Sequence, residues 1–511
     1  MDSAKLTLDP AFEVGPVERR LFGSFVEHMG RCVYTGVYEP GHPEADADGL
    51  RRDVVELARE MGVTAVRYPG GNFVSNYEWE DGVGPAAERP TRLDLAWRQI
   101  ETNAFGLGEF MTWLGAVGAE PVMAVNLGTR GVREARDLIE YTNYPGGTRW
   151  SDLRIKHGVR EPYGIKVWCL GNEMDGPWQI GGKTAEEYGR LAFETAKAMR
   201  RVDPGIELVA CGSSSVRMPT YGSWEATVLE HCYDQVDYIS AHAYYDAVSG
   251  DRASYLASAV EMEQQIEGVI ATADHVAAKL GSRKRLKVSF DEWNVWSHSL
   301  FGGENSLDWA HAPRIIEEEY DAAAAAVVGS LLITLLNHAD RVGIACQAQL
   351  ANVIAPIRTE PGGPAWRQTI FHPFALTAAH ARGRVLRVQA TAPAMATERY
   401  GEVPVLAAAA TLDDGELSVF AVNRGDRPLP IEIDLRGLPR ATGISHVTVA
   451  DDDTSARNTE REPRRVEPRA LAGAAIDGDR LTTVLPPISF NLVKGAFTED
   501  RGPHAGGPAS R

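Results

Sequence analysis

A short apolar segment followed by a polar loop and a helical stretch recurs along most of this chain of 511 residues. Amphipathic stretches such as RRDVVELAREMG and AEEYGRLAFETAKAMRRVD separate the apolar segments. Apolar strands that alternate with helices are typical of a parallel sheet covered by helices on both faces. Eight such units predict a (β/α)₈ barrel with loop insertions. The predicted strands are residues 21–28, 63–71, 121–128, 165–173, 206–214, 236–245, 286–294 and 342–352.

An open, doubly wound α/β sheet is the structural alternative to the barrel. A sheet of that kind that binds a dinucleotide carries the motif G-x-G-x-x-G directly after its first strand. No such motif follows the first predicted strand here, so the sequence does not indicate a dinucleotide site.

The pattern changes after residue 375. Short runs such as ELSVFAVNRG and LPIEIDLRGL are separated by turn residues, which predicts an antiparallel, jelly-roll-like β-sandwich. We therefore expect a barrel domain over residues 19–375 and a sandwich domain over residues 376–497. Residues 1–18 are assigned to the sandwich, where KLTLDP would form an edge strand. The Gly-, Pro- and Ser-rich residues 498–511 predict a disordered tail.

Composition restricts the partners of this chain. The formal net charge of −18 argues against a nucleic acid or an anionic membrane as partner. The longest apolar run, residues 322–336, is shorter than the roughly 20 residues that cross a bilayer and is interpreted as a buried helix. The N-terminus lacks the features of a signal peptide, and the five cysteines show no metal-binding spacing. We expect a cytoplasmic protein with reduced thiols, no metal and no cofactor.

Polar side chains follow most of the predicted barrel strands at their carboxyl ends. In a (β/α)₈ barrel these ends form the active site. The third strand, with Asn126, and the fifth, with residues 213–215, give weaker signals. The residues at the other strand ends are Glu27, His28, Arg67, Asn72, Asn172, Glu173, His242, Tyr244, Glu292, Trp296, Gln349 and Asn352.

Two carboxylates are the most informative of these residues. Glu173 and Glu292 each follow an apolar strand, and burying a carboxylate there is costly unless its surroundings use the charge. Two glutamates that face each other across a barrel mouth fit the paired carboxylates of a glycosidase. Aromatic rings suit the flat faces of a sugar, and amide and guanidinium groups suit its hydroxyls. The aromatic candidates are Trp97, Trp178, Tyr244 and Trp296.

Several other polar residues are interpreted as structural. Asp291 precedes Glu292, so in a regular strand its side chain would point to the opposite face. Glu101, Glu109 and residues 317–319 are expected on solvated helix faces. His28 and Trp97 fit a packing role as well as a functional one.

Most of the candidate site residues lie within longer sequence motifs. They are GSFVEHMGRCVYTGVYEP, VRYPGGNFVSNYEWEDGVGP, RLDLAWRQIETNAFGLGEFM, VWCLGNEMDGPWQIG, ISAHAYY, SFDEWNVW and QAQLANVIAPI, with LPPISFNLVK near the end. Together and in this order they resemble the family 51 glycoside hydrolases, the intracellular α-L-arabinofuranosidases, over nearly the whole chain. The resemblance implies a (β/α)₈ barrel with a β-sandwich, hydrolysis with retention of configuration, no metal or cofactor, and often a homohexamer.

The resemblance also implies roles for particular residues. Glu173 of the GNE motif would be the general acid/base, and Glu292 of the DEWN motif would be the nucleophile. The arabinofuranose subsite would be lined by Glu27, Arg67, Asn72, Asn172, Tyr244 and Gln349. His242 and Trp296 would orient the catalytic pair, and Trp97 and Trp178 would contact the leaving-group side.

The expected reaction is the release of terminal non-reducing α-L-arabinofuranosyl residues from arabinan or arabinoxylan fragments by double displacement. Glu173 must then carry a proton while Glu292 is ionised. A β-xylosidase or endoglucanase on the same barrel and a non-catalytic carbohydrate-binding protein remain alternatives. A pocket with hydroxyl-binding groups such as Glu27 and Asn72 favours an exo-acting furanosidase, and the presence of both glutamates argues against the binding protein.

Overall fold

Eight parallel strands close into a barrel in chain order, which confirms the predicted fold class. The computed structural model describes residues 3–248, 250–438 and 441–497. The predicted disordered tail, residues 498–511, lies outside these ranges. The barrel strands are Gly23–Phe25, Ala65–Tyr68, Glu120–Ala124, Val167–Leu170, Glu207–Ala210, Tyr238–Tyr245, Lys287–Val295 and Val342–Gln347.

One or two helices follow each barrel strand. The first of them, Arg52–Met61, buries its apolar face and ends at Gly62, whose φ of 78° allows the left-handed turn that stops a helix. The remaining helices are Leu107–Val117, Val132–Asn143, Arg149–Lys156, Ala185–Val202, Ser223–Cys232, Arg252–Leu256, Ala259–Leu280, Ala322–Asn337 and Phe371–His380. Short 3₁₀ helices are Arg19–Phe22, Asn72–Asn76, Trp79–Gly82, Ala86–Glu88, Tyr233–Gln235, His298–Leu300 and Glu304–Ser306.

The helix Ala322–Asn337 is the buried helix predicted from its apolar run. Residues 322–336 are all buried, as expected of a helix that is apolar on every side. Asp321 caps the helix by accepting a hydrogen bond from the backbone N–H of Ala324 at 2.9 Å. A Cβ atom at Gly329 would overlap the ring of Phe490, so glycine lets the sandwich pack directly on this helix. The helix therefore joins the barrel to the sandwich.

Two sheets form the sandwich after the barrel, and apolar side chains from both, among them Leu6, Val419, Ile433 and Val493, share one core. In spatial order, the first sheet consists of Gln389–Thr391, Ala4–Leu8, Leu429–Leu435, Arg480–Leu485 and Ala475–Asp477. The second consists of Glu13–Pro16, Arg384–Leu386, Leu406–Asp413, Glu416–Asn423, Ser489–Phe497, Ala441–Val449 and Arg469–Ala470.

The N-terminal strand Ala4–Leu8 pairs within the first sheet of the sandwich, but the expectation of an edge strand was wrong. It pairs antiparallel with Gln389–Thr391 and parallel with Leu429–Leu435, so it lies inside the sheet. Its alternating burial explains this position, because Ala4, Leu6 and Leu8 point into the core.

Three two-stranded hairpins complete the described chain. They are Arg92–Asp94 with Gln99–Glu101, Ile357–Thr359 with Ala365–Arg367, and Ala394–Thr397 with Gly401–Pro404. The helix Phe371–His380 spans residue 375, where the sequence pattern changes. Within the described ranges, no helix combines the length and the apolar character needed to cross a membrane.

Candidate active site

One pocket at the carboxyl ends of the barrel strands brings together most of the predicted site residues. Three others, Arg67, Asn172 and His242, are buried behind the pocket wall and contact its residues through hydrogen bonds. The predicted residues that line the pocket are Glu27, Asn72, Trp97, Glu173, Trp178, Tyr244, Glu292, Trp296 and Gln349.

Glu173 lies in the turn that follows the fourth barrel strand. Its φ of 43° is in the left-handed region, which is strained for a residue with a side chain and is often found at functional sites. One carboxylate oxygen lies 3.0 Å from Nδ1 of His242. The other accepts a hydrogen bond from the indole N–H of Trp178 at 2.7 Å. These two contacts hold the Glu173 carboxylate in one orientation at the pocket.

Glu292 lies opposite, on the seventh barrel strand. Arg67 donates a hydrogen bond to one oxygen at 2.6 Å, and the Tyr244 hydroxyl donates to the other at 2.9 Å. Burial raises the pKa of Glu292, and so does the nearby Glu173, while the charges of His242 and Arg67 act in the opposite direction. Since Arg67 also donates to Asn172 at 2.8 Å, its guanidinium links the fourth and seventh strands.

The structure contradicts the expectation that Asp291 points away from the site. The pairing of the seventh strand shifts register between Phe290 and Trp293 against the eighth strand and between Ser289 and Glu292 against the sixth, and such an irregularity re-aims side chains. Asp291 is fully buried and lies 2.9 Å from Nε2 of His242. Burial by itself would raise the pKa of Asp291, but the charge of Arg67 and the contact with His242 outweigh it and lower the pKa. Asp291 is therefore an ionised partner of the histidine.

The His242 ring lies between carboxylates on both sides. Nε2 faces Asp291, and Nδ1 faces Glu173 at 3.0 Å and Glu292 at 3.6 Å. Burial would lower the pKa of His242, but the charges of these carboxylates outweigh it and raise the pKa to about 10. An ionised Asp291 requires a proton on Nε2, and the raised pKa of His242 indicates a second proton on Nδ1, which then donates to Glu173.

We expect the His242 ring to stay doubly protonated through neutral pH. In side-chain ¹⁵N NMR spectra, assigned with a His242→Gln variant, its two nitrogen shifts should remain constant between about pH 6 and pH 9 and change only as the pH approaches about 10. The urea-unfolded protein is the control, because its histidines titrate near pH 6.5. A His242 midpoint near 6.5 in the folded protein would contradict the charged ring.

Glu27 joins three segments of the pocket wall. Its carboxylate accepts hydrogen bonds from the Phe73 backbone at 2.9 Å, the Trp97 indole at 3.0 Å and the Gln349 amide at 3.1 Å. Burial raises the pKa of Glu27 to about 7, although the first two donors oppose the shift. Asn72 accepts a hydrogen bond from Asn172 at 3.2 Å. These contacts place Trp97 in the site through its N–H group as well as through packing.

Some residues in and near the site were missed or misread from the sequence. Glu101, expected on a solvated helix face, is a buried residue of a hairpin strand and lies 2.8 Å from Nδ1 of His28. Glu317 is also largely buried, because it pairs with Arg31 at 2.7 Å and Arg358 at 3.0 Å. Residues 317–319 are three consecutive glutamates, so the sequence contains no alternation of polar and apolar residues that would indicate which of them is buried and paired with arginine. Further pocket residues without a strong sequence signal are Ser214, Ser215, Arg217, Glu261, His298 and Phe301.

Glu173, His242 and Glu292 also form the group of donors in the described chain that comes nearest to a metal site. One ligand atom of each lies within 4.8 Å of the others. However, Arg67 holds a fixed positive charge 2.6 Å from Glu292, and Trp178 already donates to Glu173. A cation at this position would be repelled by the guanidinium, so the donor set suits proton chemistry better than metal binding.

We expect activity to be independent of metal ions and unaffected by thiol reductants. Dialysis against EDTA should leave the hydrolysis rate unchanged, and the five cysteines, which are all free and buried, should make dithiothreitol harmless. A sample dialysed without chelator is the control. Loss of activity in EDTA that a divalent ion restores would show that the carboxylates bind a metal.

Comparisons with known proteins agree with this architecture. Residues 57–252 match the family model described as alpha-L-arabinofuranosidase 1 domain, and residues 291–489 match the alpha-L-arabinofuranosidase C-terminal domain. The chain is 59% identical over 499 residues to an intracellular exo-alpha-(1->5)-L-arabinofuranosidase of Streptomyces lividans, covering 97% of this chain and 75% of that protein.

Two Bifidobacterium longum proteins are similar as well. An exo-alpha-(1->6)-L-arabinofuranosidase is 51% identical over 509 residues, covering 96% of this chain and 97% of that protein. The solved structure of a family 51 alpha-L-arabinofuranosidase superimposes with a TM-score of 0.93 at 46% identity, covering 97% of this chain and all of that one.

Proposed function

This chain belongs to the family 51 α-L-arabinofuranosidases, and from this membership we propose that it is a retaining, exo-acting α-L-arabinofuranosidase. It removes terminal non-reducing α-L-arabinofuranosyl residues from arabinose-containing oligosaccharides, such as fragments of arabinan and arabinoxylan. The proposed substrate class is taken from the similar proteins. Retention of configuration is supported in addition by the geometry of the candidate active site.

The separation of the two glutamates is the observation that carries the retaining mechanism. An oxygen of Glu173 lies within 4.8 Å of an oxygen of Glu292. Retaining glycosidases place their carboxyl groups about 5–5.5 Å apart, whereas inverting enzymes leave about 6.5–9.5 Å for a water molecule. The short separation therefore supports direct attack by one carboxylate on the sugar.

We assign the nucleophile to Glu292 and the acid/base to Glu173. Glu292 is paired with Arg67, which is always charged, and this favours the ionised form that attacks the anomeric carbon. Glu173 accepts a hydrogen bond from Nδ1 of the doubly protonated His242, which can pass this proton to Glu173 for delivery to the leaving oxygen. After the leaving group departs, Glu173 takes a proton from water, and this water releases arabinose from Glu292.

The pocket wall around Glu27 supports exo action. Glu27 ties three segments of the wall together there, and a wall braced in this way suits a site for one terminal sugar. An endoglucanase needs an open cleft that a polymer can cross. A β-xylosidase shares the exo requirement, so the substrate panel below decides between the two sugars.

We expect hydrolysis of nitrophenyl α-L-arabinofuranoside, with far weaker activity on nitrophenyl β-D-xylopyranoside and β-D-glucopyranoside. A subsite with several buried hydrogen-bonding groups discriminates against a ring of different size by at least about 100-fold in kcat/KM. Initial rates on the three substrates test this. Comparable rates on either pyranoside would overturn the substrate assignment, and no turnover of any of them would favour the carbohydrate-binding alternative.

Two further properties are proposed from the resemblance and the relatives. The first is a homo-oligomer, specifically a hexamer, which light scattering coupled to size exclusion can measure. The second is a cytoplasmic location, supported by the name of the Streptomyces lividans relative and by the five buried free cysteines.

A further inference from the structure

The loop after the fifth barrel strand forms part of the pocket wall near Glu173. Ser214, Ser215 and Arg217 line the pocket. The backbone N–H of Ser214 donates to both oxygens of Asp175 at 3.1 Å, and Asp175 follows Glu173 by two residues. An acid/base residue stands on the side of the departing group, because it protonates the leaving oxygen. The loop therefore borders the leaving-group side of the pocket.

Ser214 fixes the loop rather than offering a free group to a ligand. The residue is only 6% exposed, and its hydroxyl oxygen is covered by protein beside the Asp175 carboxylate, whose pKa it helps to lower. Arg217 is the charged side chain that this loop brings to the pocket.

Arg217 is held at the same wall by a carboxylate. Its Nη2 lies 3.2 Å from Glu261, another pocket residue. Glu261 also accepts a hydrogen bond from the Tyr400 hydroxyl at 3.2 Å and lies 3.5 Å from the Arg399 guanidinium. Both of these residues belong to the turn of the hairpin formed by Ala394–Thr397 and Gly401–Pro404. This hairpin therefore braces the carboxylate that holds Arg217.

The ion pair with Glu261 leaves two N–H groups of the Arg217 guanidinium available to donate hydrogen bonds to a ligand. In the described ranges of the chain, its Nε and Nη1 groups donate to no protein acceptor, and its side chain is 47% exposed. An exposed ion pair alone adds little stability, so anchoring the sandwich would not by itself account for an arginine here. A fixed guanidinium with free N–H groups is instead well suited to bind neighbouring hydroxyls of a neutral sugar.

We propose that Arg217 forms a subsite for the sugar of the leaving group, with Glu261 as the residue that positions Arg217. This inference rests on the proposed function, and it concerns the recognition of the released oligosaccharide rather than of the arabinofuranosyl residue. The leaving sugar lies between this wall and Trp178, whose indole contacts Glu173 from the other direction and is 41% exposed.

The test compares a substrate whose leaving group is a sugar with one whose leaving group is not. The variants Arg217→Ala and Arg217→Gln are assayed on arabinotriose and on nitrophenyl α-L-arabinofuranoside, which presents no leaving-group hydroxyls. The ratio of kcat/KM for arabinotriose to that for the aryl substrate should fall about tenfold for Arg217→Ala, mostly through KM, and less for Arg217→Gln, whose amide keeps N–H donors. The matched control is Arg190→Ala, an exposed arginine paired with Glu194 on the helix Ala185–Val202.

The outcomes separate the subsite from the proposed function. Thermal unfolding of each variant should stay within about 2 °C of the wild type, since these are surface or small-volume changes. If the wild type hydrolyses both substrates and the ratio falls by less than about threefold in both variants, the subsite is overturned. If the wild type hydrolyses neither substrate, the proposed function is overturned and the subsite with it.

Discussion

Replacing Glu292 with Ala is expected to abolish hydrolysis of every arabinofuranoside, with a fall in kcat of about 10⁴-fold or more. Without this carboxylate no covalent bond to the anomeric carbon can form. The loss should not depend on the leaving group, since the nucleophile is needed before any departure. Glu292→Gln is the conservative companion, because its amide oxygen can still accept from Arg67 and its NH2 group can donate to the Tyr244 hydroxyl, but the amide cannot attack the sugar.

Rates on nitrophenyl and dinitrophenyl α-L-arabinofuranosides measure this effect. The matched control is Glu56→Ala, which removes an exposed glutamate from the helix Arg52–Met61. Circular dichroism verifies that Glu292→Gln is folded. Substantial turnover by a folded Glu292→Gln variant would contradict the assignment of the nucleophile.

Replacing Glu173 with Ala should instead give an effect that depends on the leaving group. A dinitrophenolate departs almost without protonation, so formation of the glycosyl-enzyme should remain fast on that substrate. The same residue is the base for water in the second step, so the intermediate should accumulate. A rapid burst of phenol equal to the enzyme concentration, followed by slow turnover, is the expected result, whereas an unactivated oligosaccharide should lose about 10⁴-fold in rate.

Azide provides the decisive measurement on the Glu173→Ala variant. Azide needs no general base, so it should raise the steady-state rate and yield an arabinofuranosyl azide of retained configuration. Chloride at equal ionic strength is the control. A glycosyl azide of inverted configuration would mean that Glu173 is the nucleophile, and the two roles would then be exchanged.

The barrel and most of the site residues follow from patterns that are local in the sequence. Glu173 follows the fourth barrel strand and Glu292 lies near the carboxyl end of the seventh, and in this fold strand ends converge, so their meeting could be predicted. Arg67 and Tyr244 were predicted at the site for the same reason, and both donate to Glu292.

The positions of the misread side chains depend on structural features that leave no periodic pattern in the sequence. Asp291 faces His242 because the register of its strand shifts, and a strict alternation of side chains could not show this. Arg217 reaches the pocket from an irregular loop, and its partner Glu261 belongs to the helix Ala259–Leu280, well beyond that loop in the sequence. The strand Ala4–Leu8 showed its strand pattern, but its inner position depends on two partners near the other end of the chain.

The strand Ala4–Leu8 also limits the order in which the two domains can fold during translation. The barrel strands pair with their neighbours in chain order, so the barrel can close while later residues are still being made. The first sheet of the sandwich cannot form until late in synthesis. Ala4–Leu8 is synthesised first, but its partners, Gln389–Thr391 and Leu429–Leu435, are synthesised near the end. Trimming or fusing the N-terminus would thus act on the far domain, and a fragment lacking Ala4–Leu8 would expose two unpaired strand edges that are prone to aggregate.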